Sequence, residues 1–261
     1  MEMMNKFKGL LCLSAFLMLG SFGFGQLELG GDDKKEKKKK EVKDVKVVQT
    51  TEKSDTEIYL FTNWSNTFSD LSENEGLYGD DLGEREFESS LNTWSYGLGF
   101  RSRLNDFLIF EGGVSLTENG ESYSFVGTDT AYSYKTKYTY FSMPLKVVYY
   151  HDIMFDNNTG ITFFAGAGLM PQMFSRFKQD IEITNSENTV TNETVERRDE
   201  TSTFVLSAVF NIGIQYQFMN NWSLMFIPEY RRHITDSYTE FDSYDHFGRA
   251  LGFNVGISMG L

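Results

Sequence analysis

The feature of this 261-residue chain that most constrains its fold is a regular alternation of large apolar residues with small or polar ones. In the final segment, RALGFNVGISMGL, apolar residues occupy every second position from Leu251 to Leu261, with glycine, asparagine and serine between them. The segments TFVLSAVFNIGIQYQF and NTWSYGLGFRSR show the same pattern. A period of two residues places the two classes on opposite faces of a β-strand. The sequence therefore predicts long amphipathic strands.

The residues on the polar face indicate what kind of sheet these strands form. Glycine weakens a strand, so Gly252, Gly256 and Gly260 are unusual for the solvated face of a soluble sandwich. In a small transmembrane barrel the inward face is crowded, and small residues fit there while apolar side chains meet lipid. Beyond the N-terminus there is no run of about 18 apolar residues, which excludes a helical membrane protein. We predict a transmembrane barrel, with a secreted sandwich or a lipocalin-like barrel as alternatives.

The alternation divides the chain into eight strands joined by short and long connections in turn. Short periplasmic turns and longer extracellular loops are typical of outer-membrane barrels. An even strand number returns the chain to the side on which it started, so both termini are expected in the periplasm. The predicted fold is an all-β, eight-stranded antiparallel up-and-down transmembrane β-barrel. Its predicted strands are 57–68, 91–103, 107–126, 130–150, 160–183, 201–218, 222–235 and 248–261. Its long connections are 69–90, 184–200 and 236–247, and the third and fourth strands are joined either by a long connection at 119–137 or by a hairpin tip at 127–129.

The first 54 residues lack the alternation and divide into two segments. Two lysines, an apolar run of about ten residues and small residues follow one another in the order of a secretory signal. We therefore expect residues 1–25 to be a signal peptide, which removes Cys12 and leaves the mature chain without thiol chemistry. Residues 26–54 are expected to be a lysine-rich flexible periplasmic linker, and residues 55–261 the barrel.

The charge of the chain limits its partners. The formal net charge is −13, which disfavours nucleic acid. From Asp55 onward, 13 Lys and Arg stand against 29 Asp and Glu, whereas residues 32–46 carry eight lysines and five acids. The expected partners are outer-membrane lipid and lipopolysaccharide, together with another envelope protein. The linker is expected either to contact an anionic surface or to act as a solubilising tether, and no cofactor is expected.

A proline-containing strand connects the sequence with a known family. YTYFSMPLKVVYY, with Pro144 at its centre, resembles a strand of the PorT-like family of Gram-negative outer-membrane barrels. FAGAGLMPQMF, FNIGIQYQF and WSLMFIPEYRRHITD resemble the strands that follow, and in the last of these Glu229 precedes Tyr230. The resemblance covers residues 57–261. It implies an eight-stranded barrel and no catalytic residues. Most members of the family have no known activity, and its name-giver assists protein secretion across the outer membrane, so an accessory role in secretion is an alternative that rests on the resemblance alone.

Strand parity places six charged residues on the inward face. Eight strands enclose only enough space for side chains, and an unpaired buried charge is costly. These charges are therefore expected to pair into a plug that prevents conduction. The alternative is that the pairs switch and open a narrow pore. The six residues are Arg101, Arg103, Glu111, Lys146, Glu229 and Arg231.

The histidines raise the question of catalysis. His233 and His246 flank the last long connection, which also contains Ser243, and His151 lies at a predicted periplasmic turn. Acid–base or nucleophilic catalysis needs a histidine within hydrogen-bond reach of serine or a carboxylate. The adjacent Asp245 and His246 would face opposite sides of a strand. We expect no catalytic residues and treat the histidines as ordinary loop residues, with an outer-leaflet hydrolase as the alternative.

The first long connection contains eight acidic residues. Asp80, Asp81 and Glu84 could supply oxygen ligands to Ca²⁺, although their spacing matches no twelve-residue calcium loop. A solvated acidic face without a metal ion is therefore expected. A Ca²⁺ site, or divalent ions that bridge this loop to lipopolysaccharide phosphates, are the alternatives.

Aromatic residues continue the alternation of the second hairpin beyond the predicted membrane. They include Tyr123, Phe125, Tyr132 and Tyr134, and such a surface is expected to be covered by the connection at 184–200 or by a partner.

The leading hypothesis is a non-enzymatic outer-membrane barrel with a structural or interaction role, which binds a partner through its extracellular loops or its linker. The alternatives are an accessory component of secretion, a narrow solute or ion channel, and a lipid-modifying or proteolytic enzyme.

Overall fold

The structure is a computed structural model, and it describes residues 55–73, 87–127, 130–156, 159–184, 189–196, 201–219, 221–238 and 244–261. The expected signal peptide (1–25) and linker (26–54) lie outside the described residues. The calcium candidates Asp80, Asp81 and Glu84 lie outside them as well. Among the residues that are described, no helix has the length and apolarity that a membrane span requires.

The described residues form ten β-strands, and every pairing between them is antiparallel. Their bounds are β1 (Thr56–Glu73), β2 (Glu88–Arg103), β3 (Leu108–Val126), β4 (Ala131–Ser142), β5 (Leu145–Asp156), β6 (Thr159–Thr184), β7 (Val190–Val195), β8 (Phe204–Met219), β9 (Trp222–His233) and β10 (Tyr244–Gly260).

The strands close into a barrel. β1 pairs with β2 on one side and with β10 on the other, and the ladder continues through β9, β8 and β6. β4 and β5 share one position between β3 and β6 and complete the circuit. The circuit of described strands thus has eight positions, and the predicted antiparallel up-and-down β-barrel is confirmed. Leu261 N donates to Thr56 O at 2.9 Å, so the first and last strands meet at one rim, called here the lower rim.

The break between β4 and β5 differs from the predicted single strand over 130–150. Pro144 has no N–H to donate to a ladder, so the pairing stops at Ser142 and resumes at Leu145. Met143 N instead donates to Pro171 O at 2.9 Å. The side chains keep the same alternation across the break, with Ser142, Pro144 and Lys146 all buried.

Two predicted connections are wrong in extent, and a third is decided between its two alternatives. β5 continues to Asp156, so most of the expected turn at 151–159 is strand. β3 ends at Val126 and β4 begins at Ala131, so the predicted hairpin is confirmed and the alternative of a long connection at 119–137 is wrong; Gly127 N donates to Thr130 O at 2.8 Å. The expected loop at 184–200 contains β7, which pairs with the edge of β6. β7 is exposed as far as Thr194 and has no apolar periodicity, which explains why the sequence pattern missed it.

The two faces of the barrel wall differ in the way the alternation predicts. On β10, Leu251 and Val255 are exposed and face outward, whereas Asn254 and Ser258 are buried and face the lumen. Exposed apolar side chains occur at all eight positions of the circuit and form a continuous belt, called here the apolar band. The band is bounded on β9 by Trp222 and Arg232. These residues are ten positions apart, which is about 33 Å along a strand and about 25 Å in height at a tilt of about 40°.

The glycines on the inward face make room for aromatic rings. A side chain at Gly99 would overlap the ring of Tyr59, and one at Gly213 would overlap the ring of Phe164. These rings contribute to a lumen cluster with Val148, so glycine on one strand allows the side chain of its neighbour to fill the core.

Candidate functional site

Four of the six predicted inward charges meet in the lower half of the lumen. The register places Glu111 on β3 opposite Arg101 on β2 and opposite Lys146 on β5. Arg101 Nε donates to Glu111 Oε2 at 2.7 Å. Lys146 Nζ contacts the other Glu111 oxygen and lies 3.5 Å from Oε2 of Glu229 on β9. Two cations and two carboxylates thus form one balanced group, called here the lumen network.

Aromatic and amide groups surround Arg101 within this network. Its guanidinium lies over the ring of Phe164 at 4.5 Å from the centroid and 5.2 Å from that of Tyr59. Arg101 Nη1 also donates to Gln215 Oε1 at 3.0 Å. Arg101, Glu111 and Lys146 are almost completely buried. Charges that are removed from water to this extent depend on their partners, because one left alone would carry its full desolvation penalty.

The other two predicted charges lie elsewhere in the barrel. Arg103 is near the lower rim, where its Nη2 donates to Asp152 Oδ2 at 2.8 Å. Arg231 is in the upper lumen, where its Nη2 donates to Asn119 Oδ1 at 2.6 Å and to the Glu118 carbonyl at 3.2 Å. No carboxylate of the described residues lies within ion-pair distance of Arg231. The six charges are therefore not one network, since strand parity fixes the face of a residue but not its height.

The upper lumen is filled by β3 itself. The pairing of β3 with β2 is interrupted between Ser90 and Tyr96, and hydroxyl groups on β1 and β2 bond to the β3 backbone there. Gly120 N donates to Thr67 Oγ1 at 3.0 Å, and Thr93 Oγ1 donates to the Glu118 carbonyl at 3.1 Å. A side chain at Gly120 would collide with the Thr136 carbonyl on β4 and with the Leu91 side chain on β2, so only glycine fits at this point of β3.

A directed chain of hydrogen bonds lies next to this part of β3. Arg231 fixes the orientation of the Asn119 amide, because the guanidinium can only donate. Asn119 Nδ2 then donates to His233 Nε2 at 2.6 Å, and His233 Nδ1 donates to Ser237 Oγ at 2.9 Å. His233 is therefore neutral, with its proton on Nδ1. Ser237 accepts from the imidazole and is 1% exposed, so this pair lacks the geometry and the access of a hydrolase nucleophile.

A cap closes the upper end of the lumen. The hydroxyls of Tyr138 and Tyr238 are hydrogen-bonded to each other, and His246 Nε2 lies 3.3 Å from Glu121 Oε2. Burial raises the pKa of the Glu121 carboxyl, but the hydrogen bond and charge of His246 outweigh it and leave this pKa below its ordinary value. His233 and His246 are thus buried parts of the barrel, and their description as ordinary loop residues is wrong. His151 is exposed on β5.

Little space remains between the lumen network and the cap. The cavity there has a volume of about 20 Å³ and is lined by Glu111, Lys146, Glu229, Arg231 and Pro144 among others. Such a volume holds about one water molecule. The motif residues Pro144 and Glu229 thus line the lumen, whereas Tyr230 lies on the outward face.

Above the apolar band, β3, β4, β6 and β7 continue as a four-stranded sheet, called here the raised sheet (121–126, 131–137, 178–184 and 190–195). Its inner face is continuous with the lumen side and is aromatic. The rings of Tyr123 and Tyr134 are stacked at 5.1 Å with an interplanar angle of 6°. Phe87 packs edge-on against Phe125 at 5.2 Å, and Tyr132 lies 5.9 Å from Tyr134.

The outer face of the raised sheet is polar. Lys178 Nζ donates to Asp180 Oδ2 at 2.8 Å, and Thr194 Oγ1 donates to Asp180 Oδ1 at 2.9 Å. β7 extends the edge of the sheet and does not lie across the aromatic face. The expected cover of the aromatic face by the connection at 184–200 is therefore not observed for residues 190–195.

Within the described ranges, no three histidine, cysteine, aspartate or glutamate side chains are grouped in a way that could hold a metal ion.

Comparison with known proteins gives a likeness of fold only. No family model matches the chain, and no curated protein matches it. Among solved structures, Neisserial surface protein A is 12% identical and has a TM-score of 0.34, with 78% of this chain and 97% of that chain covered. OprG from Pseudomonas aeruginosa is 11% identical with a TM-score of 0.37, covering 79% and 98%. The protease OmpT from Escherichia coli is 7% identical with a TM-score of 0.31, covering 80% and 98%.

Proposed function

We propose that this chain is an outer-membrane barrel that acts as a binding protein, with the aromatic face of the raised sheet as its contact surface. The apolar band supports the membrane location. Its outward side chains would expose a large hydrophobic surface to water, which soluble monomers avoid. Its height of about 25 Å corresponds to the apolar belt of transmembrane barrels. In this arrangement the lower rim is periplasmic and the raised sheet is extracellular.

The interior of the barrel supports a role without transport or catalysis. The lumen network, the inward part of β3 and the cap are stacked along the lumen, and the cavity of about 20 Å³ between them is too small for a solute path. The buried Ser237 and the neutral His233 offer no accessible nucleophile. These observations favour a sealed, rigid scaffold over a channel or an enzyme.

The aromatic face is the observation that carries the binding proposal. Tyr123, Tyr132 and Tyr134 are only half-buried, and β7 widens the sheet without covering them. Tyrosine combines a large apolar ring with a polar tip, and aromatic residues are the usual anchors of protein interfaces. A rigid sheet that presents several such rings loses little entropy on binding. We propose another envelope or surface protein as the partner.

Photo-crosslinking in intact cells tests this proposal with a control on the same strand. A photoreactive phenylalanine analogue is placed at Tyr132 or Tyr134, which face inward, and at Ser133 or Lys135, which face outward. The proposal predicts protein adducts from the inward positions and few from the outward ones. Equal adducts from both faces, or no adducts from the inward positions, would contradict it.

We also propose that the chain belongs to the PorT-like family. The support is that two motif residues have structural roles: Pro144 ends the β4 ladder and lines the lumen cavity, and Glu229 joins the lumen network.

A further inference from the structure

Two arginines on the outward face are not used by the proposed binding role. Arg232 on β9 and Arg249 on β10 stand directly opposite each other in the register. Both side chains are exposed, at 56% and 45%. Like charges placed opposite each other on one face of a sheet repel and destabilise the pairing. Their juxtaposition therefore indicates a site that is stabilised by an anion.

Among the residues that the structure describes, one carboxylate only partly neutralises this pair. Asp70 Oδ1 lies 3.5 Å from Arg249 Nη2, and Asp70 Oδ2 lies 4.0 Å from Arg232 Nη2. One carboxylate thus serves two guanidinium groups. Lys137 and Lys178 are also directly opposite each other in the register, but each of them has its own acid, because Lys137 lies 3.5 Å from Glu118 and Lys178 lies 2.8 Å from Asp180. The arginine pair keeps a local excess of one positive charge.

The position of the arginine pair relative to the apolar band indicates which anions can reach it. Arg232 is ten positions above Trp222 on β9, and Arg249 is ten positions above Met259 on β10, so both arginines stand at the upper border of the apolar band. Arg249 also lies over the ring of Phe68, 4.8 Å from its centroid. At this border the headgroups of the outer leaflet meet the barrel wall.

An apolar groove adjoins the arginines on the same face. Ala208 on β8 is the register neighbour of Arg232, and its small side chain leaves a gap in the wall. Phe210 and Tyr230 border the gap below, and Ile234 and Phe247 border it above. The groove has a volume of about 460 Å³. Fixed cations beside an apolar groove match a ligand that joins a phosphate to an acyl chain.

We propose that Arg232, Arg249 and the Ala208 groove form a binding site for a phosphorylated lipid of the outer leaflet. Guanidinium groups bind phosphate oxygens through paired, charge-assisted hydrogen bonds. The phosphate neutralises the excess charge of the arginine pair, and the first part of an acyl chain lies over Ala208. This site rests on the proposed outer-membrane location and is separate from the aromatic face.

The test uses the full barrel in phosphatidylcholine nanodiscs that contain either diphosphoryl lipid A or the same lipid without phosphates. Native mass spectrometry counts the lipid retained after release from the disc. We expect the wild type to retain the phosphorylated form, and the double variant Arg232→Gln/Arg249→Gln to retain at least about tenfold less, since both charge-assisted contacts with the phosphate are lost. The matched control, Arg176→Gln/Lys178→Gln, also removes two exposed cations and is expected to retain lipid as the wild type does.

One further variant and one competition experiment distinguish a lipid site from a simple anion site. Ala208→Phe fills the groove and keeps both arginines, so it is expected to reduce lipid retention. Inorganic phosphate is expected not to displace the lipid, and full displacement would mean a simple anion site and overturn the proposal. Equal retention by the wild type and the double variant, or of both lipid forms, would also overturn it. If these proteins insert normally, such a result contradicts the lipid site but not the proposed outer-membrane location. Failure of the wild type to insert would contradict both the lipid site and that location.

Discussion

Removal of the Glu111 carboxylate tests how far the buried charges of the barrel interior depend on one another for stability. Glu111 contacts both Arg101 and Lys146 and is almost completely buried. The variant Glu111→Gln keeps the shape of the side chain but leaves two buried cations with Glu229 as their only carboxylate in the network. Loss of one partner from a buried ion pair costs about 3–5 kcal/mol. We expect the free energy of unfolding to fall by this amount.

A rim pair supplies the matched control. Arg103 and Asp152 form an ion pair at 2.8 Å, but their side chains are 22% and 21% exposed. Asp152→Asn is therefore expected to cost less than about 1 kcal/mol. Unfolding of the barrel by urea in phosphatidylcholine vesicles, followed by the fluorescence of Trp64, Trp94 and Trp222, measures both variants in the same way.

The charge balance of the network adds a second requirement. Lys146→Met together with Glu111→Gln leaves one cation, Arg101, and one carboxylate, Glu229. The double variant is therefore expected to lose less stability than the two single variants added together, with a coupling of about 0.5–3 kcal/mol. If Glu111→Gln were as mild as Asp152→Asn, or if the double variant were strictly additive, the reasoning about a balanced buried network would be refuted.

Three other expectations follow from the same interior. Gly99→Val places a side chain against the ring of Tyr59 and should destabilise the barrel by about 1–3 kcal/mol in urea unfolding, whereas the outward Leu98→Val should be nearly neutral. Because the pKa of Glu121 is lowered in the folded barrel, its carboxylate stabilises the fold above the ordinary carboxyl pKa. The free energy of unfolding should therefore fall as the pH drops below about 4. Glu121→Gln should make this fall less steep, and equal pH dependence in the wild type and the variant would contradict the expectation. The purified barrel should show no steady channels in planar bilayers, and regular unitary currents would disprove a sealed lumen.

The faces of the strands could be predicted from the sequence because a period of two assigns every residue to one side. Arg101, Glu111, Lys146 and Glu229 were placed on the lumen side in this way, and the structure brings them together. The heights of residues could not be predicted. The register between strands decides that Arg103 meets Asp152 at the rim and that Arg231 meets Asn119 near the cap, and one strand alone carries no information on that register.

The upper half of the barrel was the least predictable part. β7 carries no apolar face, so its pairing with β6 has no signal in the sequence. The inward course of β3 depends on Thr67 and Thr93, which replace lost ladder bonds with their hydroxyls. His233 and His246 are polar residues beside a long acidic connection, and only the closure of the cap buries them. Buried polar chains of this kind depend on contacts between residues that are far apart in sequence.

A depth scan along β10 tests whether the apolar band lies in a membrane. In a Cys12→Ser background, single cysteines carrying a spin label are placed at the outward positions Arg249, Leu251, Phe253, Val255, Ile257 and Met259. Inward glycines are left unchanged, so the fold is preserved. In lipid vesicles, we expect collision with oxygen to be greatest near Val255, and collision with a water-soluble nickel chelate to be lowest there and to rise toward Arg249 and Met259. Uniform access of the nickel chelate to all six positions would contradict it.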